Sequence, residues 1–215
     1  MKRITVMFPL LLVLLLASCF GVDADITLNA NGSGTIALEY RVSQSLDALG
    51  RLDGNERWNT IPVGRADFQR TVDRLPDMRL LSFSSRQDAR DIIVSVRMEF
   101  SSIQGLLAFL DASGRRSSFS GNAGAGRMAF TLSEGAGIAN PELARLIAGI
   151  SEGYSVRISM GFPGEATLAV SDNQGRPLPA IPGSEIHASG RRVSCSFPLY
   201  HVLTSPEGII VEFRW

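Results

Sequence analysis

The clearest alternation of apolar and polar residues lies in residues 26–42, ITLNANGSGTIALEYRV. Ile36, Leu38 and Tyr40 point to one face of an extended segment, and the residues between them are small or charged. The glycine-rich run at residues 31–34 has the composition of a tight turn. The stretch therefore predicts a β-hairpin with one buried and one solvated face, as in an antiparallel sheet.

The same two-residue period recurs along the chain and alternates with helical spacing. Ser101 or Ser102 and Asn140 stand where helix caps are needed, and Pro141 suits a first helical position. Further strands are predicted at residues 94–100, 128–132, 156–162, 166–170 and 209–215, and helices at residues 68–75, 103–110 and 143–150, with a shorter one at 44–52.

Each predicted strand and helix has one apolar face, and these faces must meet in a core. The pattern predicts an α+β fold: an antiparallel twisted sheet of roughly 8–10 strands, one face of which is covered by short amphipathic helices. We expect a single domain over residues 23–215. A division near residues 120–140 is the alternative, because residues 121–137 are rich in glycine and other small residues.

The N-terminus has the features of an export signal. Lys2 and Arg3 precede an apolar run at residues 4–16, which is shorter than the roughly 20 residues that a spanning helix needs. The following Leu16-Ala17-Ser18-Cys19 resembles the lipobox of bacterial lipoproteins. The resemblance implies that residues 1–18 are a signal peptide and that Cys19 receives a diacylglycerol and a further acyl chain such as palmitate. Residues 19–22 would then be a short tether; a plain signal peptide with a chance cysteine, or an uncleaved anchor, is the alternative.

Charge limits the partners. Lys plus Arg and Asp plus Glu number 21 each, so no general basic field exists to bind nucleic acid. Removing the signal peptide takes away two basic residues and leaves a slightly acidic chain. Membrane attachment should therefore depend on the acyl chains. Whether the arginine pairs at residues 115–116 and 191–192 contact lipid headgroups stays open, since solvated turns are the simpler interpretation.

No catalytic residue, metal site or cofactor is predicted. His187 and His201 lack metal-ligand spacing to other His, Cys or acidic residues; His187 should lie on a solvated strand face and His201 in a loop. Cys195 falls on the same face of an extended segment as Val193 and Phe197, which predicts a packed core position. Carboxylates dispersed in turns leave an enzyme as a lesser alternative.

Four segments together resemble the LppM-type envelope lipoproteins. They are the opening hairpin at residues 23–34, Phe-Pro-Gly-Glu at 162–165, Asp-Asn-Gln-Gly at 172–175 and Gly-Arg-Arg-Val at 190–193. The resemblance implies an α+β domain of lipid-binding character with affinity for membrane glycolipids. It supplies no catalytic residues.

These observations predict a non-catalytic, lipid-anchored protein exported to the cell envelope, on the outer membrane or the periplasmic face in a diderm organism. A lipid or glycolipid is the expected ligand, held in a pocket between sheet and helices; a closed core is the alternative for the same residues. The alternative function is a structural or assembly lipoprotein that binds an envelope protein through a surface patch. The predicted pocket residues are Met98, Phe100, Leu106, Leu110, Met160 and Phe162.

Overall fold

A computed structural model describes residues 20–44, 64–135 and 137–215. In these ranges eleven strands and four helices form a mixed α+β fold, which confirms the predicted fold class. The predicted lipidation site Cys19, and the predicted helix at 44–52 from residue 45 onward, lie outside the described residues. The strands are β1 (Phe20–Leu28), β2 (Gly34–Ser43), β3 (Met78–Gln87), β4 (Asp91–Phe100), β5 (Ser117–Gly121), β6 (Gly126–Ser133), β7 (Ser155–Gly161), β8 (Thr167–Ser171), β9 (Glu185–Ser189), β10 (Arg192–Pro198) and β11 (Ile209–Arg214). The helices are α1 (Arg65–Val72), α2 (Ile103–Leu110), α3 (Pro141–Ser151) and α4 (Leu199–Thr204).

Seven strands form the larger sheet, in the order β3-β4-β2-β1-β7-β10-β9. Neighbouring strands run antiparallel except β1 and β7, which are parallel. The register places one apolar row across the inward face of this sheet, and the five central members of the row are at most 1% exposed. From edge to edge the row is Leu80, Met98, Ile36, Ile26, Met160, Val193 and Ala188.

The smaller sheet has the order β5-β6-β11-β8 and is antiparallel throughout. It packs on the inward face of the larger sheet through aromatic side chains. Phe162, which follows β7, stacks on Trp215 with ring centroids 4.6 Å apart and lies 6.1 Å from Phe213 of β11. The sequence predicted one sheet covered by helices; the structure instead covers the apolar face with a second sheet as well as with helices.

Helices α2 and α3 take the caps that the sequence predicted. The Ser102 side chain accepts the Gly105 N–H at 3.0 Å at the start of α2, and the Asn140 side chain accepts the Glu142 N–H at 2.9 Å at the start of α3. Inside the fold, α1 places Phe68 among aromatic neighbours from β3 and α2. One hydrophobic cluster includes residues from both sheets and from these helices.

The strand directions define two ends of the larger sheet. We call one of them the near end: β1, β4, β7 and β9 begin there, and β2, β3 and β10 finish there. The opposite end, which carries the β1–β2 hairpin at residues 29–33, is the far end. The first residue of β1, Phe20, pairs with Val42 at the near end. Residues 20–22, which the sequence assigned to a tether, therefore belong to the sheet.

Candidate functional site

The predicted pocket residues lie mostly in the closed core. Met98, Leu106 and Met160 are fully buried, and Phe100 and Phe162 are 2% and 5% exposed. All five belong to the hydrophobic cluster that joins the two sheets.

The sixth residue, Leu110, is half-buried and lies at the edge of this core. Leu107 and Phe109 of α2 and Phe83 of β3 are also half-buried and packed against this core. We call these four residues the α2 margin. The buried ring of Phe68 joins its two phenylalanines, with centroids 6.1 Å from Phe83 and 6.1 Å from Phe109. The α2 margin is thus an apolar surface continuous with the core and partly open to solvent.

The outward face of the larger sheet carries paired opposite charges. Arg157 lies 3.6 Å from Asp23, Arg192 lies 2.5 Å from Asp25, and Arg79 pairs with Glu99. About half of each side chain in the first two pairs is exposed. Partial burial raises the pKa of Asp23 above its ordinary value, although the nearby Arg157 lowers it.

A cleft of about 360 Å³ opens on this outward face. It is lined by Asp23 and Asp25 of β1, Arg157 and Ser159 of β7, and polar side chains of β9 and β10. Carboxylates, guanidinium groups and hydroxyls side by side can hydrogen-bond a polar ligand that offers both donors and acceptors.

A second polar cleft, of about 320 Å³, lies at the near end. Arg41, Asp88, Arg90, Glu152 and Tyr154 contribute to its wall. The Arg90 guanidinium carbon lies 5.7 Å from the centre of the Tyr154 ring. The backbone N–H groups of Arg90 and Asp91 donate hydrogen bonds to the Asp88 carboxylate and lower its pKa, and nearby arginines lower it further.

Tyr154 also forms a hydrogen bond between two strands at the near end. Its hydroxyl donates to the buried Asp91 carboxylate at 2.6 Å. Asp91 begins β4, and Tyr154 directly precedes β7, so this bond joins two strands that have β2 and β1 between them.

Cys195, His187 and His201 lie in three different environments. Cys195 is 1% exposed, which confirms the core position, and burial raises the pKa of its thiol to about 12. His187 lies exposed on the outward face of β9, as predicted. His201 was expected in a loop and instead lies in α4, with its ring against Tyr200. In the described ranges no three His, Cys, Asp or Glu side chains are placed to hold a metal ion.

One motif was missed in the sequence. Residues 149–153, Gly-Ile-Ser-Glu-Gly, have the spacing of a nucleophile elbow, in which a serine is exposed on a turn from a strand into a helix. Here the order is reversed, because Ser151 ends α3 and a strand follows. Ser151 is 2% exposed, and its hydroxyl donates to the Ile147 carbonyl at 2.5 Å. The hydroxyl is thus not presented to a substrate.

All four arginines of the pairs at residues 115–116 and 191–192 are exposed; Arg192 pairs with Asp25, and Arg116 pairs with Glu134 at 3.0 Å. No helix in the described part of the chain is both long and apolar enough to cross a membrane.

The fold is similar to that of a solved structure. The NMR structure of the folded domain of LppM from Mycobacterium tuberculosis is similar to this chain with a TM-score of 0.45 and 11% sequence identity. The likeness covers 92% of this chain and 90% of that one. At this level it assigns neither a family nor a function. No protein-family model matches the chain, and no curated protein matches it.

Proposed function

We propose that the chain is a lipid-anchored, non-catalytic protein of the bacterial cell envelope that binds a lipid or glycolipid. The observation that carries the proposal is the Leu16-Ala17-Ser18-Cys19 sequence, followed at once by the first residue of a folded strand. Two or three acyl chains on one cysteine would hold the domain stably at a membrane, whereas a single chain holds a protein only marginally.

Lipidation is tested by growing cells that express the full chain with an alkyne-bearing palmitate and measuring the label on the purified protein. Wild-type protein should carry label, and Cys19→Ser should carry none and keep its signal peptide. Cys195→Ala is the matched control: its thiol is buried, so the variant should be labelled like the wild type. Equal labelling of wild type and Cys19→Ser would refute the anchor.

For the ligand, the α2 margin is a better candidate than the centre of the core. Met98, Leu106 and Met160, at the centre of the core, are fully buried and expose no surface to a ligand. The α2 margin, in contrast, offers half-exposed leucine and phenylalanine side chains that adjoin this core. Ligand sites for apolar molecules are lined mainly by such residues. We place one acyl chain of the ligand along α2, with Leu110 in contact.

The ligand is tested by native mass spectrometry of the full chain, extracted from membranes in mild detergent. We expect wild-type protein to carry a dissociable lipid in addition to its covalent acyl groups. Leu110→Ser should lose that lipid, while Leu146→Ser should keep it, because Leu146 is an exposed leucine on α3. A bare wild-type mass would refute the ligand but not the anchor.

The second candidate is an assembly role through the outward face. The observation that favours it is the series of exposed, oppositely charged pairs on that face, which would orient a protein partner of complementary charge. Co-purification of one envelope protein, lost on reversing the charges of Asp25 and Arg192, would support this role.

A further inference from the structure

The start of β1 fixes which part of the domain is nearest to Cys19. Consecutive Cα atoms are about 3.8 Å apart, so Cys19 is one such step from Phe20. Phe20 is already paired with Val42 in the sheet, and no flexible linker separates it from the cysteine. Nine residues of β1 then span about 30 Å to the far-end hairpin.

Among the described residues, two loops of the near end flank this starting point. Residues 152–154 precede β7, the direct neighbour of β1, and the hairpin at residues 88–90 joins β3 and β4. Strands lie about 4.8 Å apart, so the two loops are roughly 5 Å and 10–14 Å to the side of the β1 start. The near-end cleft lies between these loops.

The chemistry of this end suits a phospholipid headgroup layer. Arg41 and Arg90 line the cleft, and guanidinium groups bind phosphate oxygens well. Arg41 is half exposed, and its guanidinium lies 3.6 Å from Glu39, farther than a normal hydrogen bond. Asp88 and Glu152 also line the cleft, so its wall is mixed in charge and suits headgroups that carry both a phosphate and an ammonium.

We propose that the near end of the larger sheet rests on the phospholipid headgroups of the membrane that holds the Cys19 acyl chains, with the far-end hairpin pointing away from the bilayer. This orientation rests on the proposed lipid anchor. It places the near-end cleft at the headgroup layer and leaves the outward face of the sheet accessible from the side.

The test uses nitroxide spin labels on the full, acylated chain in vesicles of phosphatidylethanolamine and phosphatidylglycerol that contain a nickel-chelating lipid. Labels are attached to Ala89→Cys at the near end, Ala30→Cys at the far end and Ser84→Cys on the outward face, all exposed positions. An introduced cysteine is the reactive thiol, because Cys195 is buried and Cys19 is acylated. Circular dichroism checks that each variant keeps its fold.

We expect strong relaxation enhancement by the nickel headgroups at residue 89, weaker enhancement at 84 and background values at 30. Equal enhancement at 30 and 89 would overturn the proposal, and so would the strongest effect at 84, which would mean that the outward face lies flat on the bilayer. A mass spectrum of the N-terminal peptide is recorded on the same samples. Acylated protein with the wrong pattern refutes the orientation alone, whereas an unacylated Cys19 refutes the anchor.

Discussion

Gly34 begins β2 at a position where the backbone has no room for a side chain. A Cβ atom there would fall inside the van der Waals distance of the Thr27 carbonyl oxygen and of the Phe100 ring. The ring can turn, but the carbonyl oxygen is held in the sheet. We expect Gly34→Ala to lower the free energy of unfolding by about 1–3 kcal/mol, the usual cost of overpacking. Urea denaturation followed by circular dichroism measures the change.

Gly164→Ala is the matched control at the residue scale, because no heavy atom lies within 4 Å of the Cβ it would add. It should change the free energy of unfolding by no more than about 0.5 kcal/mol. A Gly34→Ala variant as stable as this control would show that the first hairpin relaxes more readily than its contacts indicate.

The N-terminus of α3 is capped by the side chain of Asn140. The Asn140 side chain accepts the backbone N–H groups of Glu142 and Leu143, at 2.9 and 3.4 Å. Asn140→Ala removes this acceptor and should cost about 1 kcal/mol of unfolding free energy. Asn140→Asp keeps an acceptor at the helix N-terminus and should stay near the wild type. Equal losses in the two variants, measured in urea, would contradict the capping role.

Elements with local signals were predictable from the sequence, and elements that depend on distant partners were not. The caps at Ser102 and Asn140 follow from side-chain chemistry within a few residues. β3 was missed because the register shift between Leu80 and Ser82 breaks its alternation, and because most of its residues are exposed at the edge of the sheet. α4 was missed because six residues are too few to show a helical period, although Leu199 and Val202 lie on its buried side.

At the scale of the whole molecule, the sequence identified faces but not the pairing of strands. Apolar and polar residues alternate clearly from Val211 onward, yet nothing local indicates that β11 inserts between β6 and β8. The same limit applies to the candidate site. Met98 and Met160 were correctly placed on one face, but whether the space between them is filled depends on the second sheet. The α2 margin includes Phe83 of the missed β3, so the sequence pointed only to its Leu110 side.

The side chain of Phe213 packs between the two sheets and should couple their unfolding. It is fully buried, with ring centroids 6.0 Å from Phe130 in its own sheet and 6.1 Å from Phe162 beside the larger sheet. We expect one transition in urea, with coincident tryptophan fluorescence and far-ultraviolet circular dichroism, because one hydrophobic cluster spans both sheets. Phe213→Ala should lower the unfolding free energy by about 3–5 kcal/mol and shift both probes equally.

Phe109→Ala serves as the comparison for that loss, because Phe109 is a half-buried phenylalanine on α2 whose ring lies 6.1 Å from that of Phe68. Its removal should cost less while leaving the two probes coincident. If Phe213→Ala instead separated the probes into two transitions, the two sheets would unfold as independent units, although their strands alternate along the chain. Coincident probes in both variants would mean that the core between the sheets is formed only when the whole chain folds. Any lipid would then have to bind at the margin of that core or open it as a unit.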